Sequence, residues 1–380
     1  MTEPPDLFPF LALCARAQGT PAQYELLRER AATLPSWEGV PFQAEAHGLE
    51  PLLYAHLQAA GISIPPHVEQ QLQMRTMQHA HANHVRSKML AQILGAFQSA
   101  GIQALVLKGA ALAHLVYPRP ELRVMRDVDL LVRAPEADRA QSLLLELGFH
   151  PPTYDLPADH AHLPAVKKVV EGLPVSVEMH RQLFSADTHL GVITYDDLAP
   201  LAQSFGLYGA TAYTLGREDM LWHVYAHAFA TPLTYEPLRL VWAADLVSLV
   251  EAWVDVMDWD TVQRRYRRAF NALPMLHHLT PWSDGVLERL SLDVPRVPGG
   301  TGQVFQGWPR FSLAAQREKG YWGILRDSFY PPEWWLRMHY GVGSNPASLW
   351  WMRLVRHPLH ILGWMGDYLT RRINIKREKA

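Results

Sequence analysis

Apolar residues recur at three- and four-residue spacing through residues 1–100, with Gly19-Thr20-Pro21, Gly61 and Pro65-Pro66 as punctuation, which predicts a series of helices. The longest is expected from about His67 to Gln98, broken by no proline and by a single glycine, Gly95. After Gly101 the period changes. Ile102-Gln103-Ala104-Leu105-Val106-Leu107 is a short β-rich run bounded by Lys108-Gly109, and residues 110–117 return to helical spacing. A second apolar run, 128–132, follows a loop bearing proline and arginine. Then come a helix opened by Pro135 and closed by Gly148, and two strands, 165–170 and 174–180, joined across Glu171-Gly172. Residues 101–200 therefore read as a small α/β unit between two helical regions, 1–100 and 201–290, the latter with helices over 221–230, 237–256 and 259–273. Residues 291–330 read as a Pro/Gly-rich linker or surface loop, densest at 295–309, and 331–380 as a Trp-rich, basic helical tail with Trp334, Trp335, Trp350, Trp351 and Trp364.

Composition narrows the classes. With 380 residues, 48% hydrophobic and 19% charged, the chain can build two or three packed units and is neither fibrous nor disordered. Lys and Arg number 35 against 37 Asp and Glu, so no global field holds nucleic acid or an anionic membrane, and any such partner needs a local patch. The lone cysteine, Cys14, excludes an intramolecular disulfide framework and a cysteine-based zinc finger; the cytoplasm is the expected compartment. The apolar run 7–17 follows Glu3 and Asp6 where a secretory signal would be basic, so it reads as the first core helix. Arg353, Arg356, Pro358 and Asp367 interrupt the apolar stretch 350–369 below the roughly 20 residues that a crossing requires. That tail suits a surface better than a span; its tryptophans read as core or interface, and peripheral membrane contact is the less expected role.

The sharpest chemical signal is Arg126-Asp127-Val128-Asp129-Leu130-Leu131-Val132. Two carboxylates at i and i+2 beside a strand project from one face, where they can hold Mg2+ by oxygen ligation. Two ions about 3.5–4 Å apart can clamp both oxygens of an in-line phosphoryl displacement. Asp-x-Asp alone describes many solvated strand ends. Here, however, Leu107-Lys108-Gly109-Ala110 makes a tight strand-to-helix turn suited to phosphate, and Ser176-Val177-Glu178-Met179-His180 places a lone acid in an apolar strand. Glu178 is thus the third candidate ligand, and His180, on the same strand face, is a candidate to orient it or to touch substrate.

Other patterns are weaker. His223 and His227 are spaced to share a helix face, without the Glu of a metalloprotease motif, and read as structural or partner-facing. His79, His81 and His84 read as solvated. Gly341-Val-Gly-Ser344 is not a nucleophile elbow, and the glycines at 299–302 lack the Lys of a P-loop. Two basic patches, Arg264-Arg265-Tyr266-Arg267-Arg268 and Arg371-Arg372 with Lys376, Arg377 and Lys379, have solvated faces as their simplest explanation.

In order and spacing, LVLKGAAL (105–112), Tyr117, R-x-x-R-D-V-D-L-L-V (123–132), Leu147-Gly148-Phe149 and V-E-M-H (177–180) resemble the polymerase-beta-like nucleotidyltransferase superfamily, and within it the bacterial family of uncharacterised nucleotidyltransferases. Weaker echoes, from residues 44–54 to His227, Leu238, Asp245 and Asp258-Trp259, extend the resemblance over roughly 45–270. It implies an α+β fold: a polymerase-beta-like core, a small mixed sheet with flanking helices, embedded between helical N- and C-terminal regions. It also implies transfer of a nucleoside monophosphate from an NTP to an acceptor, with Asp127, Asp129 and Glu178 as catalytic metal ligands for two Mg2+ (or Mn2+) ions. Lys108, Gly109, Ala110, Arg123 and Arg126 would bind nucleotide phosphates, and His180 and His227 are further substrate or supporting candidates, His227 matching the family's helical histidine. The expected acceptor is a small molecule, with tRNA or protein as the alternative. Where the superfamily's turn has Gly followed by Gly or Ser, this chain has Lys108-Gly109-Ala110. That departure motivates a further alternative, a catalytically silent relative that binds nucleotide or a partner.

Overall fold

The computed structural model describes residues 7–157, 160–185, 190–230, 239–294, 328–343 and 345–363, with Thr188, Gly320, Trp322, Gly323, Leu325, Arg326, Met365 and Gly366 besides. The expected linker at 295–309, the glycines at 299–302, Leu238, Ser344, Trp364 and the basic residues from Arg371 onward lie outside them.

Five helices precede the first strand: α1 (Phe8–Leu13), α2 (Pro21–Ala32), α3 (Val40–His47), α4 (Glu50–Ala59) and α5 (Pro66–Ser99). Each has a proline in its first turn, where the missing N–H costs nothing. The long α5 matches the extent expected from its uninterrupted sequence. The β-rich run after it pairs only over β1 (Leu105–Val106). Ile102 is taken up instead in closing α5, its N–H bonding the Phe97 carbonyl at 2.9 Å.

Five further strands complete a mixed sheet: β2 (Val128–Leu131), β3 (Val166–Val170), β4 (Leu173–His180), β5 (Gln203–Leu207) and β6 (Ala210–Thr214), in the order β3-β4-β2-β1-β6-β5. β2 runs parallel to β4 and antiparallel to β1; β1 runs parallel to β6. The β3–β4 hairpin turns at Glu171 (φ 50°) and Gly172 (φ 78°), two left-handed residues in the conformation a tight two-residue hairpin needs. The last hairpin, at 203–214, lies beyond the α/β unit read from the sequence. α6 (Lys108–Leu115) leaves β1, and α7 (Ala137–Glu146) leaves β2 through the short 3-10 turn Ala134–Glu136.

The chain then passes through α8 (Tyr195–Leu198), α9 (Arg217–Tyr225) with a π turn (Ala226–Ala230), α10 (Leu240–Trp253), α11 (Trp259–Arg265), α12 (Arg267–Leu276) and α13 (Asp284–Leu290). α14 (Glu333–Tyr340) and α15 (Pro346–Trp351) follow, and α15 continues as a π turn (Met352–Arg356) and helix to 363. One hydrophobic cluster runs through the N-terminal helices, the sheet and the later helices. Arg16 fastens the two helical regions: its buried guanidinium pairs with Glu251 of α10 at 2.8 Å. The α+β architecture implied by the sequence is present, a mixed sheet between helices. No helix among the described residues is long and apolar enough to cross a membrane.

Candidate functional site

The parallel pairing of β2 with β4 sets Asp129 directly beside Glu178, so two acids far apart in sequence become neighbours on one sheet face. His180, two residues after Glu178, shares that face, and its Nε2 lies 3.0 Å from Asp129 Oδ1 and 3.9 Å from Glu178 Oε2. Donor atoms of Asp129, Glu178 and His180 all fall within 4.8 Å of one another. Asp127 precedes β2 on the same face but opens to solvent. β1 ends beside the start of β2, held by the Leu107 N–H on the Asp129 carbonyl at 2.9 Å. Lys108 follows at once, and its Nζ reaches Asp129 Oδ1 at 3.2 Å. Its backbone is left-handed, with φ 49°, a conformation costly for a side-chain-bearing residue and concentrated at functional sites.

These contacts separate the three acids electrostatically. Burial alone would raise the Asp129 carboxyl, but the Lys108 ammonium and the His180 hydrogen bond hold it well below the usual carboxylate range. Burial raises Glu178, the charges of Asp129 and Asp127 add to it, and Lys108 opposes, leaving the carboxyl at about 7. Asp127 is also raised, by desolvation first and then by the charge of Asp129, with Lys108 opposing. Lys108 itself is raised: burial lowers it, and the three acids more than compensate.

His162 extends the histidine side of the site, its ring 5.0 Å from that of His180. His162 bridges to His180 across an isolated β-bridge; its Nδ1–H donates to the Leu163 carbonyl at 2.8 Å, which turns Nε2 toward Glu178 Oε2 at 3.7 Å. Burial chiefly, with nearby positive charge, lowers His162 to about 4 and His227 to about 3; His223 lies well below its ordinary value for the same reasons, Lys108 following burial for both His223 and His227. His223 and His227 are thus neutral imidazoles, packed edge-on against Phe184 and Trp242; α9 ends at Tyr225, and His227 sits in the π turn rather than one regular turn further on.

The phosphate candidates divide. Lys108 joins the acids. Gly109 is required by a close approach of protein: a Cβ there would meet the Arg123 guanidinium at 2.9 Å. Arg123 is buried in a two-bond pair with Asp245 of α10, Nε to Oδ1 at 2.7 Å and Nη2 to Oδ2 at 2.6 Å, and Tyr117 donates to the same carboxylate at 2.8 Å. Its charge is committed to holding the loop before Asp127. Asn83 of α5 steadies that loop from the other side, donating to the Pro120 and Arg123 carbonyls at 2.9 and 2.7 Å. Ala110 is buried in α6, and Arg126 is exposed.

Sequence reasoning missed Arg86 and His162. Arg86 of α5 is mostly buried, its Nε has no hydrogen-bond partner among the described residues, and the Asp127 charge acts on it. An arginine inside an otherwise unremarkable helix gives no local signal; His162, in a loop, had only its alternation with His160. The basic run 264–268 does not form one face. The helix breaks at Tyr266, Arg265 pairs with Asp219 at 3.4 Å, and Arg268 donates to the His339 carbonyl.

The sequence profile of a family described as uncharacterised nucleotidyltransferase matches residues 35–280, and the chain belongs to that family. No curated protein sequence matches the chain. Among solved structures it is similar to the antibiotic-resistance factor ANT(2'')-Ia, at 13% identity over 50% of this chain and 96% of that chain, with a TM-score of 0.33. It is also similar to an antigenic nucleotidyltransferase-like protein from Paracoccidioides brasiliensis, at 16% identity over 54% of this chain and 97% of that chain, with a TM-score of 0.30. Overlaps this partial carry no argument about substrate.

Proposed function

We propose that this protein transfers a nucleoside monophosphate from an NTP to an acceptor hydroxyl, with release of pyrophosphate. The observation that carries the reading is the side-by-side placement of Asp129 and Glu178 on β2 and β4, with Lys108 on Asp129. This donor set, the carboxylates of Asp129 and Glu178 with the His180 imidazole at one edge, fits divalent cations such as Mg2+ or Mn2+; Asp129 and Glu178 would hold them, with Asp127 as a further carboxylate from the strand entry. When bound, such cations would supply charge neutralisation at the transferring phosphoryl group and polarisation of the acceptor oxygen.

The chain's own groups do the rest. Lys108 and Arg86 bring positive charge to the triphosphate oxygens. His180 fixes Asp129 by its 3.0 Å hydrogen bond, and Lys108 first and then that bond keep it ionised. As the acceptor oxygen bonds to the α-phosphorus, its proton passes to the neighbouring Glu178 carboxylate, and the bond to pyrophosphate breaks with its electron pair. A small-molecule acceptor is favoured over tRNA, because two of the arginines at 264–268 are turned to protein partners. A second reading, a silent nucleotide-binding relative, draws on Lys108, whose ammonium already neutralises Asp129.

Incubation with each NTP, Mg2+ or Mn2+ and a pool of small alcohols, with pyrophosphate as readout, tests the reading. Cation-dependent release that disappears in Glu178→Gln is expected. Release undiminished in that variant contradicts the assignment, and nucleotide binding without release under any condition moves the weight to the silent relative.

A further inference from the structure

The C-terminal helical segment carries an apolar face that the protein body does not use. Trp350, Trp351, Leu354, Leu359, Leu362 and Met365 are 54%, 62%, 58%, 63%, 55% and 41% exposed. Leu349, Met352, His357 and Ile361 of the same segment are buried. Six large apolar side chains in sixteen residues, all left in water, exceed what isolated surface hydrophobes explain.

The segment is not free to roll over and bury them. His357 is fully buried, with Nε2 on the Ser328 carbonyl at 2.6 Å and Nδ1 on the Tyr340 hydroxyl at 2.9 Å; His360 Nδ1 meets the same hydroxyl at 2.9 Å. The π turn at Met352–Arg356 takes an extra residue into one turn, which fits Pro358, whose missing N–H breaks the regular ladder. That turn also rephases the helix, so the buried positions on either side of it stay on the inner face and the six exposed ones on the outer.

Charge selects the occupant. From Trp334 to Gly366 the sequence has no Asp or Glu, while Arg353 and Arg356 flank the stripe and Arg371, Arg372, Lys376, Arg377 and Lys379 follow in the sequence. A second copy of this chain would bring the same cations together across a two-fold axis with no acid between them, which disfavours self-association. Tryptophans and leucines on one side, with the exposed Arg356 beside them and no acid within 334–366, fit the interface of an anionic bilayer; Arg353 is held over the Tyr330 ring at 4.8 Å. No described helix can cross a membrane, so the contact lies in the plane of the surface.

We infer that residues 346–366 dock the protein on an anionic lipid surface, with Trp350, Trp351, Leu354, Leu359 and Leu362 inserted among the headgroups. Flotation of the full chain with phosphatidylcholine vesicles, with and without phosphatidylglycerol, tests this, read with the blue shift of tryptophan fluorescence. Binding to the phosphatidylglycerol vesicles is expected, weakened by added salt and by about tenfold or more in Trp351→Ser/Leu354→Ser/Leu359→Ser. Those positions are exposed, so the variant's unfolding midpoint should match that of the parent. Failure to float with either vesicle overturns the inference, as does unchanged flotation of the triple variant. A parent that sediments as a dimer while the triple variant sediments as a monomer also overturns it, and makes the face a contact between copies.

Discussion

Removing Asp245 tests how the fold holds the approach to the acidic site. Its carboxylate is 5% exposed, receives two guanidinium hydrogen bonds from Arg123 at 2.7 and 2.6 Å, and takes a third from Tyr117 at 2.8 Å. Asp245→Ala leaves the Arg123 charge, itself 11% exposed, buried without its counter-ion. Loss of one partner from a buried pair costs about 3–5 kcal/mol. For a cooperative unit of 380 residues that lowers the unfolding midpoint by roughly 4–6 °C. Differential scanning calorimetry measures it, with two controls. Tyr117→Phe, which removes one neutral donor, should cost only about 1 kcal/mol. Arg123→Met/Asp245→Leu removes both charges and should recover most of the loss. A midpoint shift of Asp245→Ala no larger than that of Tyr117→Phe, or a double variant as unstable as the single, would refute the claim that an uncompensated buried charge is the cause.

The other predictions concern the site itself. Gly109→Ala places a Cβ 2.9 Å from a guanidinium pinned by Asp245, so a loss of about 1–3 kcal/mol is expected in denaturant unfolding, and no further loss when it is added to Arg123→Met/Asp245→Leu. Arg86→Met should raise the KM for NTP by about ten- to hundredfold, with little change in kcat, if its guanidinium meets the triphosphate. Glu178 titrates at about 7 against an ordinary 4.5, so between those values the folded chain holds a proton that the unfolded chain has lost. Its contribution to stability without cations is therefore largest below 4.5 and falls as pH rises toward 7. Cation binding requires the carboxylate, so Mn2+ affinity by calorimetry should rise by up to about tenfold per pH unit and level off above about 7, a dependence that Glu178→Gln abolishes.

Asp129 and Glu178, which the register sets side by side, were singled out by an Asp-x-Asp pair at a strand and by a lone acid in the apolar run 174–180 that demands a partner. That Glu178 lies beside Asp129 rather than elsewhere on the sheet is a matter of strand register, which no local pattern encodes. The hairpin Gln203–Leu207 with Ala210–Thr214 escaped notice because its strands are rich in small and polar residues and half their side chains face water. Arg123 illustrates the opposite limit. Its position before Asp127 suggested a phosphate ligand, and only the return of α10, over a hundred residues later, commits its charge to Asp245. Trp334 and Trp335 fill the core as composition suggests, whereas Trp350 and Trp351 face outward, a division that follows from which side of each helix meets the body.

The central claim is that cations and nucleotide share the site built by Asp127, Asp129 and Glu178. Thermal unfolding of the wild type and of Asp127→Asn/Asp129→Asn, with each NTP and with or without Mg2+ or Mn2+, tests it most directly. A ligand at a hundredfold over its Kd stabilises the folded chain by about 2.7 kcal/mol. The account predicts a cation-dependent rise in midpoint with at least one NTP that the double variant loses. An equal rise in the double variant, or none in the wild type with any nucleotide, would contradict it.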